Sequence, residues 1–264
     1  MRQKIVSLAL YSVAGLIGLV ALAYPFLIAS LASTDAGEGS LLSSATPLLT
    51  TLLISLCLAV LLVELQGQAA GAKTVATLGI LVAATATLRF IEVGIPGPAG
   101  FSPIFAPIIL GGYVFGARFG FLMGAMTMLV SAFMTAGVGP WLPYQMFTAG
   151  WIGLTAGWLP HLKSARGEII LLLFFSLVWG FAYGGIMNLY TWPYLAGDQT
   201  TSWSAGIGLG DTLRRYFAFY ITTSLVWDSA AAIGNVIMMA ALGLPTVRAL
   251  TRFQGRMQYQ VRQP

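Results

Sequence analysis

Long apolar runs separated by short polar turns dominate this chain and decide what it can fold into. Residues 6–31, 45–63, 74–91, 119–136, 144–159, 169–189 and about 216–244 are all rich in aliphatic and aromatic side chains. A membrane-crossing helix needs about 20 such residues. The alternative, a water-soluble core, fails on charge: only 8% of the 264 residues are charged, against about 25% in ordinary soluble domains. Lipid therefore has to cover the surface. Arg2 and Lys4 precede the first run, which is longer than the apolar region of a cleavable leader and reads as a retained span. A single cysteine, Cys57, excludes a disulfide framework, and a single histidine, His161, excludes a multi-histidine metal site within the chain. The net charge of +5 poses a question of sidedness in a membrane rather than of nucleic-acid binding.

The Gly- and Pro-rich stretch 92–100 stops the third run. The apolar piece that follows, 103–115, is short for a crossing. Charge sidedness argues that it crosses nonetheless. With the N-terminus inside and eight crossings, Arg2, Lys4, Lys73, Arg118, Lys163, Arg166, Arg248, Arg252, Arg256 and Arg262 fall inside, ten of the thirteen basic residues. Arg89, Arg214 and Arg215 remain outside with Asp35, Glu38, Glu92, Asp198 and Asp211. This follows the positive-inside rule, whereas removing the 103–115 crossing would put the basic C-terminal segment outside. The expected fold is an all-α, polytopic integral membrane bundle of about eight transmembrane helices with both termini cytoplasmic.

Candidate functional residues fall into three groups. Small residues four apart recur at Gly79 and Ala83 with Thr87 a turn on, at Gly116, Gly120 and Gly124, at Gly153 and Gly157, and at Gly180 and Gly184. Such faces let helices approach closely in lipid, within the chain or against a partner. Asp228 falls well inside the last run, where a carboxylate is costly and a functional candidate by default. Ser224, Asp228, Ala231 and Asn235 share one helical face, extended outward by Ile221, Phe217 and Arg214. Asp228 either locks two helices, for instance through Arg118, or meets a solute. Finally, Phe101, Trp141, Tyr144, Gln145, Asn188, Trp192 and further aromatics gather toward the outer side, where a pocket for a flat organic solute is expected, with Arg89 and Glu92 at the same level. No nucleophile elbow, HExxH helix or P-loop is present in the sequence. The chain is expected not to be an enzyme, to carry no cofactor and to depend on a gradient or another subunit for energy.

Read in series, Ile95-Pro-Gly-Pro-Ala-Gly-Phe-Ser-Pro103, Gly112-Tyr-Val-Phe-Gly-Ala-Arg118, Gly139-Pro-Trp-Leu-Pro-Tyr-Gln145, Ala149-Gly-Trp-Ile-Gly-Leu-Thr-Ala-Gly157 and Trp227-Asp228 through Gly243-Leu-Pro-Thr-Val-Arg248 resemble the S components, the membrane-embedded substrate-binding subunits, of energy-coupling factor (ECF) vitamin transporters. The resemblance covers about residues 74–253. It implies a six-helix core (74–245), preceded by two additional transmembrane helices (1–65) and followed by a basic cytoplasmic tail (246–264). It also implies residence in a prokaryotic plasma (inner) membrane, and capture of a vitamin from outside, with cobalamin or a related corrinoid as the closest subgroup. The implied partners are a transmembrane coupling subunit and two ATPases. Gly79 and Ala83 match the position of the family's coupling face, and Phe101, Tyr144, Gln145, Asn188, Trp192 and Asp228 match its solute-contact region. The competing reading is a stand-alone secondary transporter with Asp228 as its ion site.

Overall fold

Each boundary between helices has a local cause. In a computed structural model, which describes residues 72–95, 97, 101–194, 198, 200–204 and 206–257 with scattered positions at 13–26 and 55, the first long helix is α1 (Ala72–Gly94). It ends at the Gly- and Pro-rich stretch. After the loop come α2 (Phe105–Phe115) and α3 (Ala117–Met134), joined at Gly116. Gly116 has φ 94°, a region that side chains other than glycine rarely enter. Pro143 sits in the first turn of α4 (Leu142–Ala156), where its missing N–H costs nothing. Ser164 caps α5 (Ala165–Thr191) by accepting from the Gly167 N–H, and Glu168 in the first turn suits the helix dipole. A short 3-10 turn (Trp192–Tyr194) follows, then α6 (Leu209–Thr223) and α7 (Leu225–Met257). Among the described residues there is no strand.

Side-chain and backbone contacts fix the direction of each helix. The Tyr113 hydroxyl near the end of α2 donates to Glu168 at the start of α5 (2.8 Å). The Gln254 amide near the end of α7 donates to the Val114 carbonyl (2.9 Å), and Gly157 after α4 abuts Ala117 at the start of α3. These contacts define one end of the bundle. At the other end Arg89 of α1 meets Met128 of α3, and Asn188 of α5 meets Ser224 before α7. The helices α1 to α5 and α7 therefore alternate in direction. The first end gathers Arg118, Lys163, Arg166, Arg248, Arg252 and Arg256 and is called the basic end. Among the described residues, four helical stretches are long and apolar enough to cross a bilayer: Lys73–Gly94, Ala117–Met134, Ala165–Thr191 and Leu225–Arg256. α2 is apolar but shorter, and it lies at the centre, with Ile108 and Ile109 inaccessible to solvent.

The tightest packing joins α3 to α4. A methyl group added at Gly120 or Gly153 would meet the other's backbone carbonyl, one at Gly124 the carbonyl of Ala149, and one at Gly112 the carbonyl of Gly153. Gly180 of α5 lies against Ala232 of α7 in the same manner. These small-residue faces are thus occupied within the chain. The face of Gly79, Ala83 and Thr87 is different: all three are exposed, and nothing lies within 4 Å of where a Gly79 side chain would begin.

Two expectations change. The last run is not one span from 216 to 244, because the chain breaks at Ser224 (φ −126°, ψ −25°) between α6 and α7. Arg214, Phe217 and Ile221 therefore do not continue the stripe of Asp228, Ala231 and Asn235. In addition, the segment beginning at residue 246 is helical through Met257 and continuous with α7, which contains Pro245 in its interior. The expected spans at 6–31 and 45–63 lie outside the described residues except for isolated positions. Of these, Gly18 lies beside Trp151 and Phe26 beside Trp192 and Trp203.

Candidate functional site

Opposite the basic end, a polar cluster is built from four helices, α1, α5, α6 and α7. The break at Ser224 places Asp228 in the first turn of α7, where the helix dipole favours an anion. The Asp228 carboxylate lies against Gly184 of α5, a position that tolerates no side chain. Its Oδ2 and the Tyr220 hydroxyl of α6 are both buried, and each is the other's nearest polar neighbour. Tyr183, one residue before Gly184, lies within electrostatic reach of Arg89, Glu92 and Asp228 together, and its ring packs on Phe105 at 4.6 Å. Glu92 accepts from the Ser102 hydroxyl (2.9 Å), while the Arg89 guanidinium rests on the Met128 sulfur. Two carboxylates, a guanidinium and two phenol hydroxyls thus gather between α1, α5, α6 and α7 in otherwise apolar surroundings. A polar solute with a donor group suits the underused Asp228 oxygen.

Arg118, proposed from the sequence as a partner for Asp228, stands at the basic end beside Gly116 and Ala117. The length of the bundle separates it from Asp228, so it makes no pair there.

The other expected site residues divide by what they touch. Phe101 enters the cluster region with its ring over Gly234 of α7. Asn235 is fully buried and engaged: its Oδ1 accepts from the Ala106 N–H (2.8 Å), and its Nδ2 donates to the carbonyls of Ser102 and Ala231 (2.8 Å each). It pins the loop that carries Phe101 and Ser102 onto α7. Asn188 and Ser224 exchange two hydrogen bonds (2.7 and 2.9 Å), which fasten the helix break to α5. Tyr144 packs on Tyr190 with ring centroids 4.3 Å apart, and Gln145 is half-buried on the next residue of α4.

Trp192 is buried, its indole N–H bonded to the Thr201 carbonyl (2.7 Å) and its ring against Tyr216 and Phe219. It braces the loop before α6. Trp141 is exposed and bonds only locally among the described residues, to the Gly137 carbonyl (3.1 Å). Arg214 is exposed on α6, away from the stripe to which the sequence assigned it.

Tyr183 and Tyr220 were missed because the sequence argument sought aromatics at helix ends, and Tyr183 lies deeper. The signal available was Gly180-Phe-Ala-Tyr-Gly184, a hydroxyl flanked by glycines that open space for a neighbouring helix.

Asn235→Ala is expected to free the loop. Orphaning a buried N–H and a carbonyl costs about 1–3 kcal/mol each. The thermal midpoint of the purified protein should fall, and the loop at 101–106 should gain susceptibility to limited proteolysis. An unchanged midpoint would refute the pinning role.

Comparison with known proteins adds the identity of the fold's family. No curated protein and no solved structure matches the chain. A family model described as "ECF transporter, substrate-specific component" matches residues 73–243. The match runs from the start of α1 into α7, enclosing the polar cluster and well over half of the 264 residues. With its apolar helices and its order of elements, the chain belongs to the substrate-specific components of ECF transporters, membrane-embedded binding subunits that work within a larger transport complex.

Proposed function

We propose that this protein captures a vitamin or similar micronutrient at the end of the bundle opposite its basic residues, outside the cell. It then delivers the solute with a separate coupling subunit and two ATPases. The observation that carries this reading is the convergence of Arg89, Glu92, Tyr183 and Asp228 in an apolar bundle, with one carboxylate oxygen of Asp228 buried and unpartnered. In this reading Phe101, Tyr144, Gln145 and Asn188 complete the solute site. Trp192, Asn235, Trp141 and Arg214 act as supports or rim residues in this reading. The excess of positive charge at one end favours the cytoplasm there, which supports a cluster facing outward and a cytoplasmic C-terminus; the family resemblance supports a prokaryotic plasma membrane.

Cobalamin or a related corrinoid is the most specific solute the resemblance supports. Such a macrocycle requires the loop around Phe101 to lift, since that ring packs on Gly234. Mass spectrometry of small molecules retained through purification tests the assignment. A corrinoid would support it, another vitamin would narrow it, and a solute bound away from Asp228 would overturn the site.

Gly79, Ala83 and Thr87 form the proposed docking face for the coupling subunit, because they are exposed while the other small-residue faces are packed. Gly79→Leu with Ala83→Leu should leave solute affinity within about twofold. Co-purification with the coupling subunit should fall about tenfold or more, since close helix approach depends on small residues. Retained co-purification would move the docking face elsewhere.

A further inference from the structure

The basic end carries a cleft of about 830 Å³ between α2, the start of α5 and the last turns of α7. We propose that this cleft binds the headgroup of an anionic phospholipid, with Arg248 and Arg252 holding the phosphodiester and Glu168 accepting from headgroup hydroxyls. This site lies at the opposite end from the solute cluster and stands independently of it.

Position argues first for lipid. From Leu225 to Arg248 the helix rises about 35 Å at about 1.5 Å per residue, a little more than the roughly 30 Å hydrocarbon core. The guanidinium groups of Arg248 and Arg252 therefore lie at headgroup depth when α7 crosses the membrane. Chemistry argues next. Arg248 and Arg252 are one helical turn apart and both line the cleft, a spacing that lets two guanidinium forks share one phosphate. Arg252 donates its Nε to the Arg248 carbonyl (3.2 Å), and among the described residues no protein acceptor meets its other guanidinium nitrogens.

The inner wall is polar in a different way. Glu168 accepts from Tyr113 (2.8 Å), and the His161 ring lies tilted against the Tyr113 ring, centroids 4.4 Å apart. Val114 and Val247 supply an apolar floor. A carboxylate beside two arginines disfavours a bare multivalent anion. It suits a singly charged phosphodiester whose alcohol groups donate to it, as in a glycerol headgroup. Basic pockets between membrane helices bind anionic headgroups by these interactions.

Native mass spectrometry of the full-length protein in mixed micelles tests the proposal, with phosphatidylglycerol, phosphatidylcholine and inorganic phosphate as separate probes. The expected result is preferential retention of phosphatidylglycerol, weakened about 10- to 30-fold by Arg248→Gln with Arg252→Gln, on the basis of the usual contribution of each basic residue near an anionic surface. Lys73→Gln with Lys163→Gln removes the same charge outside the cleft and should change retention less than about threefold. Equal losses in the two double variants would reduce the effect to general surface charge and overturn the site. Binding of inorganic phosphate with no lipid preference would overturn the lipid assignment. Arg248→Lys with Arg252→Lys keeps the charge and guards against misfolding. It should retain phosphatidylglycerol more weakly than the wild type but better than the glutamine variant, and retention no better than the glutamine variant, in folded protein, would count against a phosphate held by charge.

Discussion

Asp228→Asn is expected to weaken solute binding by about 10- to 100-fold while leaving the fold intact. The magnitude follows from losing one charge-assisted hydrogen bond, about 1.5–3 kcal/mol. Asparagine matches the carboxylate in size, and Gly184 leaves no room for anything larger. The fold should survive, because the asparagine amide oxygen can still accept from the Tyr220 hydroxyl, and removing a charge from apolar surroundings relieves desolvation. Isothermal titration with the retained solute would measure the change. The same variant separates the two transport classes. Unchanged solute affinity with loss of coupling to an ion gradient would favour a stand-alone secondary transporter, in which Asp228 carries the ion.

Gly153→Ala is expected to be the most destructive single methyl group in the protein. Overpacking usually costs about 1–3 kcal/mol because neighbours can shift. Here the neighbour is the Gly120 backbone, and Gly153's own carbonyl is packed against Gly112 and Gly120, so the helices themselves must separate. A loss at or above the top of that range is expected, read as a large fall in thermal midpoint or failure to purify as a single species. Gly79→Ala is the matched control. It adds the same methyl group where nothing lies within 4 Å, and helix propensity favours alanine over glycine by about 1 kcal/mol. Equal behaviour of the two variants would mean that α3 and α4 do not pack backbone to backbone.

Much of the fold was legible because punctuation in the sequence is strong. Gly116, Pro143 and the stretch 92–100 each mark a boundary by a backbone property, and Ser164 by its side-chain cap, none of which depends on the rest of the structure. Periodicity alone could not say which small-residue faces are filled, since burial is a tertiary outcome. The break at Ser224 was hidden because neither Gly nor Pro marks it. Its signal was weaker: Thr222, Thr223 and Ser224 in a row, with Thr222 and Thr223 donating back to helix carbonyls at Ala218 and Phe219, a habit that bends helices. Asp228 was identified as important from cost alone, but its surroundings were not, because Tyr183 and Gly184 reach it from a helix distant in sequence. Asn235 shows the converse. A polar residue on the right face looked like a solute contact, and its two long-range bonds, to Ser102 in the loop and Ala106 at the start of α2, could be known only from the packing.

The seam between α3 and α4 bears on how relatives of this protein would be compared. Gly112, Gly120, Gly124 and Gly153 admit no Cβ, so purifying selection at these sites acts through sterics whatever solute a relative carries. They would rank as the most invariant columns of an alignment while saying nothing about specificity. The informative columns would be the variable ones facing Tyr183 and Asp228, where a change of nutrient can be accommodated without moving a helix.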